Sequence, residues 1–208
     1  MAANDTYEDV LAFWFPEGLD RDAETLRQQV EWWFRGGADA EIVRRFSPLL
    51  ARAERGELDD WSRTARSRLA LIVTLDQFPR SVHRGSGRAF ANDPTARALT
   101  REGLANGHYA ALTAGWEKTF FMLPLGHSET LADLELAVAL AEEIARDAPP
   151  ALRGWFDFSV GQARGNRDVI AHFGRHPHRN EALGRTSTPE ELEYIARGDF
   201  VHKRTLPR

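Results

Sequence analysis

Apolar residues recur at three- and four-residue spacings from one end of this chain to the other, while alternating β-branched or aromatic runs closed by Asn-Gly or Asp-Gly are almost absent. That contrast predicts an all-α fold. Tyr7, Val10, Leu11 and Trp14 share one face of a first helix, with Asp5 as its expected cap, Glu8 three residues on, and Pro16 as its stop. Leu26, Val30, Trp33 and Phe34 form the apolar face of a second, which stops at Gly36-Gly37. A third carries Ile42, Phe46, Leu49, Leu50 and Ala53, and Pro48 inside it must either kink the helix or restart it. The stretch from Thr64 to Phe78, with Leu69-Ala70-Leu71-Ile72-Val73 and Leu75, is apolar around most of its circumference. A helix of that kind belongs at the centre of a fold.

Further along, Asp93-Pro94 opens a fifth helix toward Gly107, and a sixth from Ala114 to Met122 is interrupted by Leu123-Pro124-Leu125-Gly126. Ser128 is the expected cap of a seventh, whose Leu131, Leu134, Val138, Ala141 and Ile144 stay in register up to Pro149-Pro150. An eighth, 151–173, places Gly154, Gly161 and Gly165 where neighbours can approach closely. Thr188-Pro189-Glu190-Glu191 reads as a capping box opening a last helix. About eight to ten helices with short connections predict antiparallel pairs stacked into a tetratricopeptide-like superhelix, although no repeating sequence period is present.

The 208 residues are enough for one full-sized core, and no stretch of linker composition divides them, so 1–208 reads as a single helical domain. Hydrophobic residues at 42% and charged residues at 28% are those of an ordinary globular protein. The longest apolar run, near Leu69 to Leu75, falls far short of the roughly 20 residues a bilayer requires, and the N-terminus carries acids instead of a basic signal region. These features predict a cytoplasmic protein with no membrane partner. A net charge of −4 argues against nucleic acid as a partner. With no cysteine at all, disulfides, thiolate catalysis, iron–sulfur clusters and cysteine-ligated zinc are excluded. Lys203, Arg204 and Arg208 read as a solvated end.

Three segments couple polar groups to helix ends. They are Leu75-Asp76-Gln77-Phe78-Pro79-Arg80 with Arg84 and Arg88, then Leu123 to Glu129, and then Phe173-Gly174-Arg175-His176-Pro177-His178-Arg179-Asn180 with Gly184-Arg185-Thr186-Ser187-Thr188. Asp76, at the end of the most apolar helix, needs a partner there, and Arg80 is the nearest in sequence. On these residues, together with Phe13-Trp14-Phe15, Trp32-Trp33, Leu69-Ala70-Leu71-Ile72, Arg88-Ala89-Phe90-Ala91 and Leu183-Gly184, the chain resembles the bacterial family catalogued as domain of unknown function 924. The resemblance spans nearly the whole chain. It implies the tetratricopeptide-like helical fold in which that family is placed, and no particular activity. The chain departs from the family pattern at Ser81, His83, His176 and Asn166.

Arginines present paired donors that match phosphate and carboxylate oxygens, so Arg80, Arg84, Arg88, Arg175, Arg179 and Arg185 form either an anion site or a set of loop-locking pairs with Asp76, Glu129 and Asp168. His127, His172, His176, His178 and Glu129 carry metal-ligand atoms but lack any zinc-type spacing, so no metal and no cofactor is expected. Ser128 lacks a nucleophile elbow, and the six tryptophans read as core. Asp76, Gln77, Arg80, Arg84, His127, Ser128, Glu129, Arg175, His178, Arg179, Asn180 and Arg185 are therefore the candidate ligand-binding set, converging on one polar cleft. Three functions stay open. A helical protein could bind a small anionic ligand or acidic peptide there; an enzyme could use His127 or His178 as general acid or base with Glu129 or Asp76 orienting it; or a scaffold could recognise a partner protein.

Overall fold

The computed structural model of the protein describes residues 5–19, 22–198 and 200–207. Among them are eleven α-helical segments, nine of eight residues or more, and no strand, so the fold is all-α. The residues gather into two compact units, one within Met1–Arg84 and Arg88–Pro124, the other within Gly85–Gly87 and Leu125–Arg208.

The first unit holds α1 (Tyr7–Trp14), α2 (Ala23–Phe34), α3 (Asp39–Glu41), α4 (Ser47–Glu54), α5 (Ala65–Asp76), α6 (Phe78–Val82), α7 (Asp93–Ala105) and most of α8 (Gly115–Gly126). As its sequence requires, α5 is the unit's axis: every residue from Ser67 to Asp76 is buried, and α1, α4, α6 and α7 all pack on it. Its polar members are satisfied internally. Thr74 donates back to the Ala70 carbonyl at 2.8 Å, and Ser67 to the Trp61 carbonyl at 2.6 Å. Arg68, 1% exposed, spends its guanidinium on the Ser62 and Leu99 carbonyls and on Glu102.

Several helix ends differ from the sequence reading. Thr6, not Asp5, caps α1 through a capping box with Asp9, because Asp5 is drawn off to Arg45 at 2.6 Å. Pro48 lies in the first turn of α4, so the helix restarts there after a π-helical turn over Ile42–Phe46. Asn92 precedes α7 while the Asp93 carboxylate is engaged by Arg80. Pro124 does not interrupt α8, which runs through it to Gly126. Phe34, expected in the core, is 46% exposed.

The second unit is built on α9 (Leu131–Asp147) and α10 (Arg153–Phe173), which pack along each other across the short connection 148–152, with α11 (Pro189–Arg197) following. Thr130 precedes α9, and Ser128, the expected cap, instead donates to Asp133 inside that helix at 2.6 Å while accepting from the Thr130 amide. The Thr188–Glu191 capping box forms as its sequence requires. Of the three glycines marked in α10, Gly165 has the close neighbour: a Cβ there would lie 2.9 Å from the Arg204 guanidinium. Arg204 also donates to the Gly161 carbonyl and Val201 is buried, so the end of the chain is docked and not merely solvated. Arg208 lies outside the described residues. No helix among the described residues is long and apolar enough to cross a membrane.

Candidate functional site

The candidate residues fall into two groups, one in each unit. The first is set by the turn from α5 into α6, where Pro79 in the first turn restarts the helix and brings Arg80 back against it. Arg80 donates to both carboxylate oxygens of Asp93 at 3.0 and 3.2 Å and to the Asp76 carbonyl, with the Asp76 carboxylate 3.7 Å away. Its expected partner is therefore the more distant of two. Burial works against the charge, but Asp76 and Asp93 together hold the Arg80 pKa above its ordinary value. Gln77 donates to the Asp76 carboxylate.

One turn beyond Arg80, Arg84 pairs with Asp39, which also accepts the Ser81 hydroxyl at 2.7 Å. Asp39 is delivered by the double-glycine turn after α2. Gly36 sits at φ +84, where an L side chain is strained, and a Cβ on Gly37 would come within 2.6 Å of the Trp32 ring.

These groups border a cleft of about 460 Å³ whose polar lining is Arg35, Asp39, Gln77, Arg80, Ser81 and Arg84 and whose aromatic lining is Trp14, Trp33 and Phe34. Of the arginines in that lining, Arg84 pairs with Asp39 and Arg80 with Asp93 and Asp76. Trp33 donates its indole N–H to the Trp14 carbonyl at 3.0 Å, whereas the Trp14 indole N–H is buried and meets no acceptor among the described residues. Sequence reasoning found Gln77, Arg80 and Arg84 here and missed Arg35, Asp39 and the aromatic wall. The available signal was Arg35 directly before Gly36-Gly37, at a helix end that exposes its side chain.

The second group joins the two later segments. Glu129 accepts from the His176 amide and from Arg185, both at 2.9 Å. Burial opposes its charge, but these donors hold its pKa below the usual carboxylate range. Arg175 forks onto Glu191 at 2.6 and 2.7 Å, and Asn180 and the Thr188 amide donate to the same carboxylate, which is held down at about 2, chiefly by Arg175. Neither Arg167 nor Asp168 joins this group: they pair with each other.

The His178 ring lies 5.4 Å from His176 and 4.9 Å from His202. Burial pushes His176 down to about 2 and His178 to about 3, with Arg179, His127 and neighbouring histidines adding repulsion; His202 is lowered by burial, Lys203 and Arg179. The imidazoles of His176 and His178 are therefore neutral at pH 7. Arg179 is 6% exposed, His127 is half-buried, and His172 stands apart, paired with Glu190 at the surface. Among the described residues no group of three or more acidic or histidine side chains is arranged to hold a metal ion.

A solved structure of a protein of unknown function from Agrobacterium tumefaciens, ATU0120, is similar to this chain, with 33% identity and a TM-score of 0.72 over 92% of this chain and 97% of that one. No curated protein matches the sequence. The family model described as "Bacterial protein of unknown function (DUF924)" matches residues 10–199, and the chain accordingly belongs to that family.

Proposed function

We propose that this protein binds a small anionic ligand, bearing a phosphate or carboxylate, in the first unit's cleft. The observation that carries the reading is the cleft lining, which brings the exposed Arg35 and Arg84 together with Arg80 around one cavity. Arg84 and Arg35 are exposed, Arg84 in a pair with Asp39 for which a ligand anion would compete, whereas Arg80 is anchored by Asp93.

The later arginines support binding less well. Glu191 occupies Arg175 and Glu129 occupies Arg185, as expected of groups that lock loops. Acid–base catalysis has less support again: proton transfer near neutrality favours a group whose pKa is close to 7, and His178 is held at about 3. For the architecture, we read α9 and α10, paired across five residues, as one layer of a tetratricopeptide-like stack.

Titration calorimetry with inorganic phosphate tests the function. Arg84→Ala and Arg35→Ala are each expected to weaken binding about tenfold or more, since a charge-assisted contact contributes about 1.5–3 kcal/mol. Phosphate binding unchanged in both variants rules out the cleft.

A further inference from the structure

Resting on the anion reading, we infer that the ligand is an amphiphilic anion whose planar apolar body lies against Phe34 while its charged head meets the arginines. Phe34 ends α2 directly after the buried Trp33, yet it is 46% exposed, among the few large apolar side chains so placed among the described residues. It lines the same cleft as Arg35, Arg80 and Arg84. A charged rim and an exposed ring bordering one cavity are what a molecule with both characters requires. A bare ion leaves the ring in water.

The ring is also held in place. Phe34 stacks on Phe120, centroids 6.1 Å apart with their planes 6° from parallel, and Phe120 is wedged against Trp33 at 4.6 Å and Trp14 at 5.5 Å. A braced aromatic surface loses little freedom when a second ring stacks on it, and stacking is a favoured geometry between such rings. Size points the same way. A cleft of about 460 Å³ lies within the range of roughly 300–1,000 Å³ that organic ligands occupy, and its lining is polar except on the side of Phe34. The inferred class is an aryl-bearing phosphate or carboxylate.

Calorimetry with methyl phosphate against phenyl phosphate, and acetate against phenylacetate, separates head from body at matched charge. Phenyl phosphate should bind about tenfold tighter than methyl phosphate or better. Phe34→Ala should erase that preference by bringing phenyl phosphate to the affinity of methyl phosphate, while Arg84→Ala should weaken both. Equal affinities for the two phosphates, or a preference that survives Phe34→Ala, overturns the amphiphile and leaves the anion site standing if Arg84→Ala still weakens binding. Failure of every anion to bind removes the site and the inference together. Should Phe34→Ala not fold, the methyl and phenyl comparison on the unaltered protein still decides. The carboxylate arm tells whether the head is phosphate, carboxylate or either.

Discussion

The two units carry their positive groups in different chemical forms. Along the first unit's cleft the charge is arginine, fixed at any ordinary pH, with Arg80 held by Asp93 and Asp76 beneath the exposed Arg84, which pairs with Asp39. In the second unit Arg185 and Arg175 are tied to Glu129 and Glu191, and the nearby imidazoles, the buried His176 and the half-buried His178, are uncharged at neutral pH. A chain can thus concentrate basic residues in two places and leave them as exposed guanidinium in one and as neutral imidazole beside paired arginines in the other. Counting basic residues along a sequence does not separate the two, but their exposure does: the side chain of Arg84 is 65% exposed, those of Arg175 and Arg185 30% and 32%.

The cores differ in parallel, and the largest effect should come from there. The first unit is organised on one helix buried on all sides, so Leu71→Ala or Ile72→Ala is expected to cost about 2–5 kcal/mol. A chemical denaturation midpoint that does not move would show that α5 is not the axis it is taken to be. Next, Arg175→Ala should cost about 1–3 kcal/mol by leaving the buried Glu191 carboxylate short of two donors. Urea denaturation followed at Trp155 checks this, and an unchanged transition would dissolve the contrast between structural and ligand-ready arginines.

Acid sharpens the comparison further. His176 and His178 bind protons near pH 6.5 when unfolded but only near 2 and 3 when folded. Above about 6.5 both states are neutral and the second unit keeps its full stability; as pH falls below that value the unfolded chain takes up protons the folded chain refuses, and stability drops. By pH 5 the loss should be about 1–2 kcal/mol for each buried histidine. Glu191 adds a separate loss only as pH falls from 4.5 toward 2. Hydrogen exchange between pH 7.5 and 5 should therefore quicken first around 176–180, and His178→Gln should flatten the dependence. Equal acceleration in α5 would contradict it.

Much of this was legible in the sequence where the signal is local. The Thr188–Glu191 box and the burial of Leu69 to Leu75 each follow from a few adjacent residues. What escaped reading depends on partners far along the chain. Ser128 has the right residue type for a cap, but Asp133 takes its hydroxyl; Asp5 has the right type too, but Arg45 claims it. Arg68 sits in an apolar helix only because carbonyls at 62 and 99 receive it. At the cleft, Gln77, Arg80 and Arg84 were readable as polar groups at a helix end. Trp14, Trp33 and Phe34 were not, because aromatic residues at helical spacing look the same whether their outer edge meets protein or an open cavity.

The smallest expected stability effect carries the most functional weight. Arg84→Ala removes an exposed pair with Asp39 and should change stability by about 0–1 kcal/mol. The most direct measurement of the anion site is then crystallographic: crystals grown with selenate, whose selenium scatters anomalously and whose oxygens mimic phosphate. The account predicts an anomalous peak in the cleft within hydrogen-bond reach of Arg84 or Arg35, lost in Arg84→Ala crystals. A cleft without selenium, in crystals where selenate is bound beside Arg179 and His178 instead, would contradict it.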